Sequence, residues 1–304
     1  MSGHLITEGI VIIMPVENIK SISIPAKDGH AISVLSVGME KKYKKAVIII
    51  SHGFSEHSGS YIEIAQELCD AGFACLIPDQ RGHGAPPVGI GTKKWHGIIP
   101  GYQSFIDDIE AVTNKARELS PGSSIVLYGH SMGGGIVLNT LLRMPKAQQT
   151  QYVCTIVEAP WLGLYDEFNA FTRGLLGALS RIAPKVRVKR SPSDETLSSN
   201  PERAKSITED ELYHGYLSFH MLSEIMKACD YAMENAKQLS VPTLLALADK
   251  EVVVNNNSMR EFAKSAGEIV KLEEYDSLHA IHNDDKRELF CKDMIEFIDS
   301  HLVK

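Results

Sequence analysis

Apolar residues along the chain follow two alternating patterns. Short continuous runs rich in β-branched residues, such as Ala46-Val-Ile-Ile-Ile50, are typical of strands buried on both faces of a parallel sheet. Longer stretches, for example residues 132–143, have apolar positions at helical spacing. Because strands and helices alternate, the pattern predicts βαβ units with right-handed crossovers.

The predicted elements form two series, separated by a long interval. Strands are predicted at residues 21–24, 31–37, 46–50, 73–77, 124–128, 152–157, 241–246 and 269–275. Helices are predicted at residues 61–71, 102–119, 132–143, 257–266 and 285–302. We therefore expect an α/β fold with a mostly parallel sheet of eight strands and helices on both faces.

The interval between the two series contains helical pieces and a polar stretch, but no convincing strand. We expect a core domain made of residues 1–159 and 240–304, with residues 160–239 as a helical cap, or lid, inserted into it. One helix of the cap carries apolar residues on a single face. This face either packs on the core or roofs an apolar pocket, and its pocket candidates are Phe168, Phe171, Leu175 and Leu179.

Composition narrows the class of partner and the compartment. A net charge of −7 with mixed signs gives no reason to expect nucleic acid. The five cysteines are an odd number in apolar stretches, which favours a reducing, cytoplasmic location. Residues 9–15 are apolar but lack a basic flank and a cleavage pattern, so they do not resemble a signal peptide.

The segment Gly129-His-Ser-Met-Gly133 is a GxSxG motif between a predicted strand and a predicted helix. In this context, glycines permit a tight turn that exposes the serine oxygen at the carboxyl edge of the sheet. The alternative is a glycine-rich turn with an incidental serine. We expect Ser131 to be a nucleophile.

A serine nucleophile needs a base and an acid, and in this motif's fold they follow the serine in the order acid, then histidine. His279 follows the last strand in a loop and is preferred over His282 as the base. Asp249 directly follows a strand and is the preferred acid, with Glu251 two residues on. Glu158, at the end of another strand, is the alternative acid.

Acyl transfer also needs hydrogen-bond donors for the developing oxyanion. One is expected to be the backbone amide of Met132, directly after the nucleophile and at a helix N-terminus. The loop after the strand at residues 46–50 contains Gly53, which allows the backbone to turn toward the site. The amide of Phe54 is therefore the second candidate.

Three segments together resemble the monoacylglycerol lipase and lysophospholipase branch of the α/β-hydrolases, which is of the serine aminopeptidase S33 type. They are His52-Gly-x-x-Glu-His-Ser-Gly-x-Tyr61, Pro78-Asp-Gln-Arg-Gly-His-Gly84 and Gly129-His-Ser-Met-Gly-Gly134. The resemblance implies Ser131, Asp249 and His279 as the triad, with oxyanion amides at Phe54 and Met132. This chain departs from the family at Phe54, where relatives usually have a small residue, and at Glu158, where they tend to have a small or polar one.

The expected function is hydrolysis of carboxylic esters of apolar acyl groups through an acyl-enzyme, without a metal or cofactor. The resemblance implies a monoacylglycerol or lysophospholipid as the small-molecule lipid substrate. The alternatives are a short-chain or aromatic carboxylesterase, an S33-type peptidase, and a module that binds an apolar ligand without turnover. Transient contact of the cap with a membrane or micelle and the oligomeric state are left open by the sequence.

Overall fold

The computed structural model describes residues 18–166, 168–190 and 193–302. The apolar start at residues 9–15 lies outside these ranges. The strands are β1 (Ile19–Pro25), β2 (Ala31–Val37), β3 (Ala46–Ser51), β4 (Ala74–Pro78), β5 (Ser124–His130), β6 (Cys154–Glu158), β7 (Arg187–Lys189), β8 (Tyr216–Ser218), β9 (Thr243–Ala248) and β10 (Val270–Tyr275).

Eight of these strands form one sheet in the order β1-β2-β4-β3-β5-β6-β9-β10. The hairpin of β1 and β2 is antiparallel and β2 also pairs antiparallel with β4, whereas the pairs from β4 to β10 are parallel. Strands β3 to β6 and β9 are apolar and almost entirely buried because helices cover both faces. The sheet confirms the predicted fold class, which is the α/β-hydrolase fold.

The helices are α1 (Ile62–Asp70), α2 (Thr92–Trp95), α3 (Gln103–Leu119), α4 (Met132–Arg143), α5 (Lys146–Gln149), α6 (Ala170–Ile182), α7 (Asp194–Leu197), α8 (Pro201–Thr208), α9 (Phe219–Asn235), α10 (Asn256–Ala266) and α11 (Arg287–His301). Buried residues of α1 and α11 pack on one face of the sheet. Those of α3, α4, α9 and α10 pack on the other. The core therefore lies in two layers, one on each side of the sheet.

The chain between β6 and β9 adds no described strand to the large sheet. It holds α6 to α9 and a small antiparallel pair, β7 with β8. The expectation of no strand in this interval was therefore wrong. Each of these two strands is only three residues long, which is too short to show an alternation of polar and apolar residues in the sequence. The division into a core and a cap stays a prediction.

Two further features bear on the sequence-based expectations. All five cysteines are free and buried. Among the described helices, none combines the length and the apolar character that crossing a bilayer requires.

Candidate active site

Ser131 lies on the turn between β5 and α4, at the carboxyl edge of the sheet. Its φ of 51° and ψ of −116° are strained for a residue other than glycine. The turn is fixed on both sides, since the Ser131 amide donates to the carbonyl of Glu158 at 2.9 Å and its carbonyl accepts from the Trp161 amide at 2.8 Å. The GxSxG motif thus forms the predicted strand, turn and helix.

The motif's two glycines are required by close backbone contacts. A Cβ on Gly129 would overlap the carbonyl of Gly133, and a Cβ on Gly133 would overlap the carbonyl of Ser51 on β3. Because these contacts are with backbone, no side chain can move aside to relieve them. The lack of a side chain at position 129 thus allows the tight turn, and the lack of one at position 133 allows the turn to lie close to β3.

His279 lies in the loop after β10 and lines the same cavity as Ser131. Its Nδ1 is 2.6 Å from Oε2 of Glu251, and both side chains are almost completely buried. The other carboxylate oxygen of Glu251 accepts from the amides of Val253 and Val254, at 2.7 and 3.3 Å. Glu251 is thus held rigidly, and a hydrogen on Nδ1 of His279 leaves Nε2 as the basic nitrogen.

The ion pair opposes the effect of burial on both groups. Burial raises the pKa of Glu251, but the neighbouring His279 and the two amides lower it below its ordinary value. Burial lowers the pKa of His279, but Glu251, with smaller contributions from Glu56 and Glu158, raises it above its ordinary value. The pair therefore favours the protonated imidazole that a general base becomes during catalysis.

The structure corrects the position expected for Asp249. This residue is exposed, and its carboxylate accepts a hydrogen bond of 3.2 Å from the Ser277 amide instead of contacting His279. The chain turns at residues 249–250, directly after β9, so that Glu251 and not Asp249 points to the histidine. The expectation that the acid directly follows the strand did not take this turn into account. The only sequence signal for Glu251 was its place two residues further on.

Glu158, the alternative acid, contacts a different histidine. Its carboxylate accepts from the backbone amide of His282 at 2.9 Å and lies 2.9 and 3.0 Å from the Nδ1 of the same residue. It also accepts a hydrogen bond from the hydroxyl of Tyr128. Glu158 therefore forms no pair with His279. His282 itself lies in a short 3-10 turn that precedes α11.

The two predicted oxyanion amides occupy suitable segments. Met132 is the first residue of α4, where helix amides favour negative charge. Phe54 lines the cavity, and its ring makes edge contacts with Trp161, His83 and His214. Within the described part of the chain, neither amide donates a hydrogen bond. Their role as an oxyanion hole stays a prediction.

Hydrogen bonds to the side chain of Glu56 hold the loop that carries Phe54 in place. The amide of Gly53 donates to Oε2 of Glu56 at 2.6 Å, and the hydroxyl of Tyr61 donates to the same oxygen at 2.7 Å. His130, which precedes the nucleophile, lies 3.0 Å from the Tyr61 hydroxyl. Burial raises the pKa of Glu56, but the nearby His130 and His282 bring it well below its ordinary value. Glu56 thus braces the loop that carries Phe54.

A cavity of about 250 Å³ lies over Ser131 and His279. Its apolar lining comes from the loop of Phe54, from the segment 160–239 and from the turn before α10. These apolar residues are Phe54, Trp161, Leu164, Leu197, Leu217, Leu222, Val252, Val253 and Val254. Polar side chains, among them Arg190, Thr196 and Tyr213, also line it. The cavity suits a ligand with an apolar part and a polar part.

None of the four pocket candidates on the cap is among the described residues that line this cavity. Helix α6 turns Leu176 inward and leaves Phe171 80% and Leu175 51% exposed, while Leu179 is partly buried. Phe168 precedes the helix and packs against the core. The prediction that they line the pocket is therefore corrected. Helical spacing identified residues that share a face, but not the surface toward which that face turns.

Glu56, His130 and His282 present possible metal-ligand atoms within 4.8 Å of one another. However, their atoms already take part in direct hydrogen bonds. Glu56 accepts from Gly53 and Tyr61, and Nδ1 of His130 contacts Tyr61. We therefore assign this set to a buried hydrogen-bond network.

Curated relatives align with most of the chain. A monoacylglycerol lipase of Mycolicibacterium smegmatis is 27% identical over 261 residues, which are 85% of this chain and 89% of the relative. The phospholipase YtpA of Bacillus subtilis is 28% identical over 261 residues, which are 84% and 96% of the two chains. Both alignments thus span nearly the whole length of the relatives.

Solved structures share the fold. A monoglyceride lipase from Saccharomyces cerevisiae, in complex with a substrate analogue, superposes with a TM-score of 0.78 at 19% identity, over 93% of this chain and 97% of that one. A carboxyl esterase from Bacillus coagulans has the same TM-score and identity, over 94% and 99%. The model of the family described as serine aminopeptidase, S33, matches residues 42–286, which include Ser131, Glu251 and His279. The chain therefore belongs to this family of α/β-hydrolases.

Proposed function

We propose that this protein is a serine hydrolase that cleaves carboxylic esters of apolar acyl groups, with a monoacylglycerol or lysophospholipid as its substrate. The observation that carries the proposal is the cavity that joins a strained Ser131 to the buried pair of His279 and Glu251 under an apolar lining. Relatives named monoacylglycerol lipase and phospholipase support the same substrate class.

In the proposed mechanism, three side chains carry out the reaction. Nε2 of His279 removes the proton of Ser131, whose oxygen attacks the ester carbonyl. Glu251 holds the Nδ1 hydrogen and stabilises the imidazolium that forms. The imidazolium then donates its proton to the leaving alcohol, which leaves an acyl group on Ser131. Water, activated by the same histidine, releases the acid and restores the serine.

The oxyanion of each tetrahedral intermediate needs donors that are already in place. The amides of Phe54 and Met132 supply them in this proposal, because both belong to segments that are fixed before substrate binds. Removal of one such donor in other hydrolases costs about 100- to 1,000-fold in rate. The bracing of the Phe54 loop by Glu56 therefore serves the chemistry indirectly.

The segment 160–239 acts as a cap in this proposal. Trp161, Leu164, Leu217 and Leu222 belong to it, and they line the cavity above the nucleophile. They give the acyl chain an apolar environment, which contributes about 0.8 kcal/mol for each buried methylene.

The exposed surface of α6, together with the residues that directly follow this helix, is suited to transient contact with a membrane or micelle. Phe171 and Ile182 are 80% and 81% exposed, and Val186 is also exposed. The basic residues Arg181 and Lys185 are exposed in the same stretch. Exposed apolar side chains next to basic ones are the combination by which a helix binds an anionic lipid surface.

The decisive experiment combines covalent labelling with a substrate panel. We expect a fluorophosphonate probe to label the wild-type protein and not Ser131→Ala. The panel contains monoacylglycerols, lysophospholipids, short nitrophenyl esters and prolyl amides. Turnover of the first two classes above the others supports the proposal. A preference for short esters or prolyl amides would show that the proposed substrate class is wrong. A wild-type protein that the probe does not label would contradict the proposal that the protein is a serine hydrolase.

A further inference from the structure

Glu158 contacts both the nucleophile and the loop of the base. Its backbone carbonyl accepts from the amide of Ser131 at 2.9 Å. Its side chain, which is fully buried, accepts from the amide of His282 at 2.9 Å and contacts Nδ1 of that ring. His282 lies three residues after His279 in the same loop. One residue thus joins the turn of Ser131 to the segment that carries His279.

Neighbouring contacts hold the ring of His282 in place, and the backbone next to Glu158 is also restricted. The ring of His282 stacks on Tyr61, with 4.7 Å between ring centroids and 20° between planes. Ala159, the next residue after Glu158, has a φ of 40°, which only a firmly held backbone maintains in a residue other than glycine. A second contact also joins the nucleophile turn to the His279 loop. Nε2 of His130, which directly precedes Ser131, lies 3.3 Å from the carbonyl oxygen of His279.

We propose that Glu158 is a positioning residue that fixes the His279 loop relative to Ser131 through its hydrogen bonds to His282. The inference rests on the proposed roles of Ser131 and His279. Glu158 is not the acid of the proposed triad, because Glu251 is the carboxylate that contacts His279. Glu158 also does not line the cavity, so it does not contact the substrate. Its carboxylate accepts from the backbone amide and Nδ1 of His282, whereas the side-chain amide of Glu158→Gln would lack the negative charge and would replace one of the two acceptor oxygens with a donor NH₂ group.

The charge of Glu158 provides a second effect that can be measured. Burial raises its pKa, but His282 and His130 lower the pKa to about 2, so that the group is ionised at neutral pH. This negative charge helps to raise the pKa of His279. The groups that face Glu158 are His282, His130, Tyr128, Tyr61 and Tyr275. Those that face His279 are Glu251, Glu56, Glu158 and His130.

The test compares Glu158→Gln and His282→Ala with the control Tyr128→Phe. The control removes the third donor to the same carboxylate but leaves the contacts with His282 intact. We expect Glu158→Gln to lower kcat by about 10- to 100-fold, since small displacements of catalytic groups have effects of this size. KM should change by about twofold or less, and the control should keep kcat within about threefold.

Two readouts separate positioning from a loss of stability. The acidic limb of kcat/KM against pH should move to lower pH in Glu158→Gln, because His279 loses a nearby negative charge that raises its pKa. The double variant with His282→Ala should be no more than about twofold slower than the slower single variant, since both changes break one connection. Thermal melting of each variant ensures that only folded protein is compared.

A folded Glu158→Gln with wild-type kcat and an unmoved pH limb would overturn the inference, as would additive effects in the double variant. If Glu158→Gln does not fold, His282→Ala alone decides, and an unchanged kcat there overturns it equally. Ser131→Ala separates this failure from failure of the proposed function. If Ser131→Ala retains turnover, the proposed mechanism itself is wrong.

Discussion

Oε2 of Glu251 lies 2.6 Å from Nδ1 of His279, whereas the carboxylate of Asp249, two residues earlier, binds the amide of Ser277. The two acids are therefore close in sequence and differ in environment, one buried and one exposed. This contrast makes them a matched pair for mutation.

We expect Glu251→Gln to reduce kcat by about 10³- to 10⁴-fold, because the histidine loses the carboxylate that orients it and stabilises its charge. Asp249→Asn should change kcat by about threefold or less. Steady-state hydrolysis of a nitrophenyl ester measures both. A larger loss in Asp249→Asn than in Glu251→Gln would return the role of the acid to Asp249.

The pH dependence of activity should reflect the raised pKa of His279. The base acts only when its imidazole is neutral, so kcat/KM rises with pH as His279 loses its proton. Since Glu251 raises this pKa above the ordinary value of 6.5, the acidic limb should have its midpoint above pH 6.5. Profiles between about pH 5 and 9 test this, with stability checked at each pH. A midpoint below 6.5 would contradict the assigned pair.

Two glycines on different helices should respond in opposite ways to the same substitution. Gly133→Ala should destabilise the fold by about 3 kcal/mol or more, because its Cβ would overlap the Ser51 carbonyl. Gly177→Ala on α6 faces open space and should stabilise by about 0.5–1 kcal/mol. Urea unfolding measures both changes. A Gly133→Ala protein of wild-type stability would contradict the described packing at the nucleophile turn.

The residues that line the cavity predict where a larger side chain should change the enzyme's preference for acyl-chain length. Leu222→Phe fills space in the cavity and should lower kcat/KM for long acyl esters by about tenfold, with a smaller effect on butyrate esters. Leu175→Phe is the control, since Leu175 is exposed on α6. Equal effects on long and short esters in Leu222→Phe would show that the acyl chain lies elsewhere.

The proposed lipid contact of the cap is tested on aggregated substrate. Phe171→Ser with Ile182→Ser should lower hydrolysis of monoacylglycerol in anionic vesicles by about fivefold or more, because less apolar area enters the surface. Activity on a dissolved butyrate ester should be unchanged. Val88→Ser, which removes an exposed apolar side chain outside the cap, is the control. An equal loss on dissolved and vesicle substrate would argue against a membrane role.

Features determined by local sequence were predicted well. The buried strands have continuous apolar runs, and the GxSxG motif combines a strand, a turn and a helix in five residues. The positions of Ser131 and His279 in one cavity also follow from these local rules, because both follow strands that end at the same edge of the sheet.

Features that depend on tertiary packing were not predictable in the same way. Whether Asp249 or Glu251 reaches His279 depends on one turn after β9, and both are carboxylates next to a strand. The apolar face of α6 gave no sign that only part of it is covered, because periodicity does not identify the neighbouring element. The pair of Glu158 and His282 joins segments that are 124 residues apart.

The five buried cysteines have a practical consequence for studies of the cap. Burial raises the pKa of Cys75 well above its ordinary value, and that of Cys154, Cys229 and Cys291 to about 12, so these thiols stay protonated at neutral pH. Maleimide and nitroxide reagents need an accessible thiolate. A cysteine introduced at the exposed position of Phe171 would therefore carry a spin label or fluorophore selectively, with every native cysteine left in place.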